Sequence, residues 1–367
     1  MNWGRSSQIL GLILVIGLAG LTVKLPRIFD WQEDLFLQRN ISFILVPWAI
    51  MILNFIRSDI KKLSLIGGLI IALGAVWINS LFPHMSADVL LLTVLFLPLI
   101  MWFGYGYIWT SGHWRSWEQR LKYLKFNGDL LVLSAVLGLT GLLLMLVSFA
   151  LYELIGIEIK DIHVVNVITW GAPAVPLTAS YLLLLNPNLV RGITPLVAKL
   201  FSPLALIVLI TFTVGLVWGT EVMNQERQTL LVLNVVIVSV LALILFSVGT
   251  TDSPMSKGAQ WLVLFLLSLV IFFDDVLALT SVVKRVVALG LTANRTAVLG
   301  TNLLTCVHLF LLTKAIWFSR KRNAKSDHAS GEDLSPGDQT ISRAIVEFLP
   351  IYALWAALIC LLFPWIF

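Results

Sequence analysis

Eleven runs of almost uninterrupted apolar side chains dominate this chain: residues 8–25, 41–56, 63–83, 88–109, 130–152, 163–185, 200–219, 229–250, 260–281, 297–318 and 344–367. A helix needs about 20 such residues to cross the hydrocarbon core of a bilayer. The runs are continuous and do not alternate, so they are not strands of a membrane barrel. The expectation is an all-α, polytopic transmembrane helix bundle with about eleven spans. The second run, with Pro47 and Asn54, is the shortest. Composition excludes a water-soluble globule. Of 367 residues, 59% are hydrophobic and 12% charged, against about 25% charged in ordinary soluble domains.

Lys and Arg set orientation in such chains. With the N-terminus in the cytoplasm, the inner side carries sixteen Lys and Arg and the outer side eight. Lys284, Arg285 and Arg295 dissent, since they fall outside. Arg5 followed by Ile9–Val23 reads as a retained first helix, because no small-residue cleavage site follows. The basic, aromatic stretch Ser111–Asp129 reads as an interfacial helix on anionic lipid head groups. The implied partner is the bilayer itself; the cations flank apolar spans, which argues against nucleic acid despite a net charge of +5. The domain expectation is one transmembrane domain over 1–367, with 319–343 as a flexible cytoplasmic linker (Gly, Ser and Pro-rich, basic then acidic) and 344–367 as the final span.

Several chemistries are absent. No phosphate-binding Gly-rich loop, no G-x-S-x-G and no H-E-x-x-H occurs. The five histidines show no metal-ligand spacing, and no cofactor is expected. Cys306 and Cys360 sit in apolar runs as free thiols.

Three constellations remain. The first is Asp274–Asp275. A charge at a span centre costs about 2.5–3.5 kcal/mol, and the eleven Leu, Val, Ile and Phe residues before the pair return about 0.3–0.6 kcal/mol each. The terms nearly cancel. Asp274 lies thirteen residues after Trp261, about 20 Å along a helix axis. The pair therefore marks a helix end at the interface, a proton or cation site, or a partner for Lys284 or Arg285. The second is His308, with Thr301 and Thr305 on its face and Asn302 beside it: an interhelical hydrogen-bond seam, or a proton relay to Asp274 or Asp275. The third is the sixth span, where Pro173 and Pro176 should break or kink the helix. Broken helices form substrate sites in transporters, and Asn166 would be a nearby polar partner. The acidic stretch Asp30–Asp34 reads as a solvated outer loop.

The stretch from Val282 to Phe310 resembles a bacterial membrane family known as domain of unknown function 4153. The resemblance rests on a basic segment followed by Gly290-Leu291-Thr292-Ala293-Asn294-Arg295 and a helix, with Arg285 in the basic segment. Family members often have proline where this chain has Ala293. The similarity covers about 260–318, and more loosely 125–318. It implies a multi-span protein of the bacterial inner membrane and brings no activity. From the residues alone, Gly290 suits a helix C-cap and Thr292 an N-cap, with Arg295 at the head groups. Arg285, Asn294 and Arg295 could also form a lipid-phosphate or partner site. The leading functional expectation is a secondary transporter or permease. A non-transporting scaffold, sensor or complex subunit comes second, and a lipid- or glycan-modifying membrane enzyme third.

Overall fold

The computed structural model describes residues 2–81, 86–154, 161–190, 193–218, 227–250, 258–323 and 336–367. Among them there are twelve helices and no strand: α1 Ser6–Ile28, α2 Glu33–Ile56, α3 Lys61–Leu81, α4 Ala87–Trp109, α5 Trp117–Leu154, α6 Asp161–Leu185, α7 Ile193–Trp218, α8 Arg227–Thr250, α9 Gly258–Leu289, α10 Ala293–Asn323, α11 Pro336–Val346 and α12 Leu349–Ile366. The physical reason is backbone satisfaction. Hydrocarbon offers no hydrogen bonds, so each apolar run must close its own ladder as a helix. Nine helical stretches among the described residues are long and apolar enough to cross a membrane, with α11 and α12 counted as one, Pro336–Ile366. Two shorter apolar stretches, Leu200–Gly215 in α7 and Val232–Leu245 in α8, complete the set. Among the described residues all eleven apolar runs are thus helical, and the protein is an all-α, multi-pass membrane protein.

The chain forms two compact units. The first comprises residues 1–85, 97–119 and 126–191. Within it α1 packs on α2 and α6, and α2 on α3. Polar bonds tie the element ends: Tyr181 Oη donates to the Trp3 carbonyl at 2.8 Å, and Asn186 Nδ2 to the Asn2 carbonyl at 2.8 Å. Asn79 Nδ2 donates to Asn40 Oδ1 at 3.0 Å, joining α3 to α2.

The second unit comprises residues 86–96, 120–125 and 192–367. Its centre is α9, packed on α7, α8 and α10, while α10 also meets α11 and α12. Trp261 of α9 donates its indole N–H to the Ile316 carbonyl of α10 at 2.8 Å and stacks on Phe265. Arg120, buried within the basic stretch expected to lie on lipid, donates Nε to the Val346 carbonyl at 2.9 Å and so caps the end of α11.

The expected linker 319–343 is helical at both ends. α10 continues to Asn323 and α11 begins at Pro336; residues 324–335 lie outside the described residues. Ile341, Ser342, Ile345 and Val346 of α11 are buried, so the amphipathic α11 is packed core.

Candidate functional site

The sequence of α9 decides where its carboxylates point. Leu264, Leu267, Ile271, Ala278 and Val282 are buried, whereas Leu262, Leu269, Phe273, Val276, Val283 and Val287 are exposed. Both sets recur at steps of three, four or seven residues, as two faces of one helix must. Asp274 follows Leu267 by seven and Asp275 follows Ile271 by four. Both therefore fall on the protein-facing stripe, and both are 0% exposed.

The pair sits at the middle of a helix of 32 residues. No helix end therefore falls at the pair. The ion-pair alternative fails as well: Lys284 and Arg285 lie about two and a half turns further along α9, and no ion pair among the described residues joins them to either aspartate.

The carboxyl oxygens are sparsely served. Asp274 Oδ2 lies 2.9 Å from Thr213 Oγ1 of α7. Asp274 Oδ1 and both oxygens of Asp275 have no hydrogen-bond partner. Thr213 Oγ1 also donates to the Leu209 carbonyl at 2.8 Å. A hydroxyl carries one proton, so Thr213 can serve Leu209 or a carboxylate, but not both fully. If Asp274 carries a proton, its O–H donates to Thr213 and Thr213 donates to Leu209, and the chain is satisfied.

On α10, Asn302, Thr305 and His308 are buried on the face that also carries Leu309, Leu312 and Ile316. His308 Nδ1 lies 2.9 Å from Tyr352 Oη of α12, and its ring stacks on Phe348 with centroids 4.4 Å apart. Asn302 Nδ2 makes no hydrogen bond, and the Ala344 backbone interacts with the His308 ring. Thr305 sits beside the Tyr352 hydroxyl, and Asp275 is near enough to interact electrostatically with Tyr352 and with Cys306. The structure thus places Asp275 within electrostatic range of the Tyr352 hydroxyl that meets His308. Sequence reasoning missed Thr213 and Tyr352. A lone threonine or tyrosine in an apolar run carries no periodic signal, and only the packing of α7 and α12 brings them in.

Beside the pair, an open groove of about 450 Å³ is lined by Thr213, Leu269, Val270, Phe272, Phe273 and Val276. Apart from the Thr213 hydroxyl its walls are apolar side chains.

The other sequence candidates are carried by α6 and by the junction of α9 and α10. α6 is one uninterrupted helix with Pro173 and Pro176 inside it, so of the expected break or kink the break does not occur. Two lost donors leave the rest of the ladder intact, and freed carbonyls in a span find local partners. Pro173 is buried, Pro176 and Asn166 half-buried. Gly290 takes φ +76° at the end of α9, a left-handed conformation that glycine adopts without strain. Thr292 Oγ1 accepts from the Arg295 backbone N–H at 3.4 Å, at the start of α10. Arg295 Nη1 donates to the Leu289 and Gly290 carbonyls, both at 2.8 Å. Arg295 thus caps α9. Arg285 and Asn294 are half-buried nearby in sequence. Between α1 and α2, Glu33 pairs with Arg27 at 3.1 Å and both are well exposed. No group of three or more metal-ligating side chains occurs among the described residues.

No family model, no curated protein and no solved structure matches this chain.

Proposed function

We propose that this protein is a secondary transporter or permease of a bacterial inner membrane, driven by a proton or cation gradient through Asp274 and Asp275. The observation that carries this is a carboxyl pair at the middle of a membrane-length helix, fully buried, with three of its four oxygens unpartnered. Such groups are expensive in a bilayer, and they mark ion and proton paths. Neutralisation has to come from outside the residues described, as a proton or a cation.

Thr213 supplies a local two-state element. With a proton on Asp274, Thr213 serves the Leu209 carbonyl. Without it, Thr213 turns to the carboxylate and Leu209 loses its side-chain donor. A bound proton or cation therefore changes the α7–α9 contact, which is what coupling an ion to a conformation requires. His308 and Tyr352 extend the polar path across α10 to α12.

The test uses full-length protein in liposomes with a pH-sensitive dye inside. Pools of amino acids, sugars, nucleosides and organic cations are added under an imposed pH or Na⁺ gradient. A solute that moves protons or Na⁺ through the wild type, and fails to do so through the Asp274→Asn, Asp275→Asn variant, is the expected result. Solute flux that persists in that variant removes the pair from the mechanism.

A further inference from the structure

Asp274 and Asp275 are neighbours in sequence but not in direction. Consecutive residues of a helix project about 100° apart, so their side chains do not face each other. Asp274 turns to α7, where its Oδ2 lies 2.9 Å from Thr213 Oγ1. Asp275 lies in electrostatic range of Cys306 on α10 and Tyr352 on α12. Both are fully buried, and Asp274 Oδ1 and both Asp275 oxygens have no hydrogen-bond partner. A hard cation stripped of water needs a shell of about six oxygens. On the α7 side the Asp274 carboxyl and the Thr213 hydroxyl together offer three. Cation sites in transporters are completed by carbonyls of unwound helices. Here α7, α9 and α10 are each one unbroken helix, so their carbonyls are committed to the helical ladder. The one proline inside them, Pro203 of α7, comes ten residues before Thr213. A proton asks for a single acceptor atom.

We infer that Asp274 and Asp275 are two separate proton sites, one on the α7 contact and the other toward α10 and α12, and that the proton is the coupling ion. The inference names the ion of the transport reading above and rests on that reading for the movement of protons, though not for their binding. Each carboxylate takes one proton on an oxygen and becomes a neutral acid. On Asp274 the new O–H donates to Thr213, whose own proton goes to the Leu209 carbonyl. Few other charges are near. α9 packs on α7, α8 and α10. The charged residue of α7 is Lys199, fourteen residues before Thr213 and so about 21 Å along the axis. That of α8 is Arg227, at its first position. The titratable groups toward the pair are Cys306 and His308 on α10, with Arg295 and Lys314 eleven and eight residues from Cys306, and Tyr352 on α12. No ion pair among the described residues joins a cation to either aspartate.

The experiment follows the C=O stretch of protonated carboxyls by infrared difference spectroscopy, during a pH titration of full-length protein in lipid nanodiscs. It is run once in Na⁺ and once in choline at the same ionic strength. Two protonated-carboxyl bands are expected, one lost in Asp274→Asn and the other in Asp275→Asn, with midpoints that do not move between choline and Na⁺. Thr213→Val should shift the frequency of the Asp274 band alone, because it removes the hydroxyl that this carboxyl meets. Tyr352→Phe should shift the Asp275 band alone. Should an Asn variant fail to fold, Thr213→Val assigns the Asp274 band, and the Na⁺ comparison on the wild type still decides the ion. Midpoints that fall when Na⁺ replaces choline mean competition for the carboxylates and overturn the proton assignment. So does the absence of both bands at every pH where the protein is folded. Thr213→Val moving both bands overturns the separation into two sites. Two Na⁺-insensitive proton sites without gradient-driven flux would overturn the transport reading and keep the sites. Na⁺-coupled flux lost in the double Asn variant would keep the transport reading and overturn the proton as its ion.

Discussion

Thr213 on α7 and Asp274 on α9 meet at 2.9 Å, hydroxyl to carboxyl oxygen, where the two helices pack. This is the only hydrogen bond that the described residues give the aspartate pair. Thr213→Val keeps the shape and deletes the hydroxyl. It should destabilise the protein by about 1–3 kcal/mol, the range for stranding a buried polar group, read as a lower unfolding temperature in detergent.

His308 and Tyr352 form the second polar contact of this core. Tyr352→Phe removes the partner of His308 Nδ1 and should cost about 1–3 kcal/mol. His308→Phe added to it removes the stranded ring, so the double variant should fall short of the sum of the singles by more than about 0.5 kcal/mol. A double-mutant cycle on thermal unfolding measures this. Strict additivity would mean that the two groups do not interact.

The Arg295 guanidinium closes the end of α9 through the Leu289 and Gly290 carbonyls. Arg295→Gln should lower stability by about 1 kcal/mol, the scale of a lost cap, and should leave anionic-lipid binding unchanged in native mass spectrometry. Loss of bound lipid without loss of stability would assign Arg295 to a head-group site instead.

Gly300 of α10 lies under the indole of Trp355 on α12, and a Cβ there would collide with the ring. Trp355 is also held by its N–H donating to Thr301 Oγ1 at 3.0 Å. Gly300→Leu should cost about 1–3 kcal/mol through overpacking. Gly171→Ala, inside α6 with open space around it, should be neutral or stabilising by about 0.5–1 kcal/mol. Thermal unfolding of the two variants in parallel checks the contrast.

Asp59, in the loop after α2, is held below the usual carboxylate range by hydrogen bonds from Arg57 and then Ser111. A depressed value in the folded state means that its contribution is complete above the unfolded pKa of about 3.9 and fades as pH falls through the folded value. The side chain is well exposed, so the effect is small. Asp59→Asn should lower the unfolding temperature slightly at pH 7, and the difference from wild type should vanish toward pH 3. A gap that widened on acidification would contradict this.

Much of α9 was legible before any fold. The step from Leu267 to Asp274 and from Ile271 to Asp275 already puts both acids on the stripe that packs, because 3.6 residues per turn brings positions four and seven apart to one face. The same periodicity groups Thr305 with His308. Gly290 and Thr292 announce a helix end and a helix start through backbone conformation and side-chain capping alone. These are local properties, and local rules reach them.

Charge bookkeeping along the chain could not decide whether the aspartates end a helix, pair with Lys284, or stay unpaired. That depends on how far α9 continues, and α9 continues to Leu289 because its end is capped by Arg295 from the next helix. Pro173 and Pro176 likewise suggested a break in α6 that the remaining ladder and its neighbours prevent. Sequence by itself determined that the chain is a set of membrane-length helices and which face of each is polar, since both follow from side-chain hydropathy and helical period. Tertiary structure alone decided that Thr213 and Tyr352 join the site and that an apolar groove opens beside Asp274. Which helices touch depends on long-range packing, and no local period encodes that.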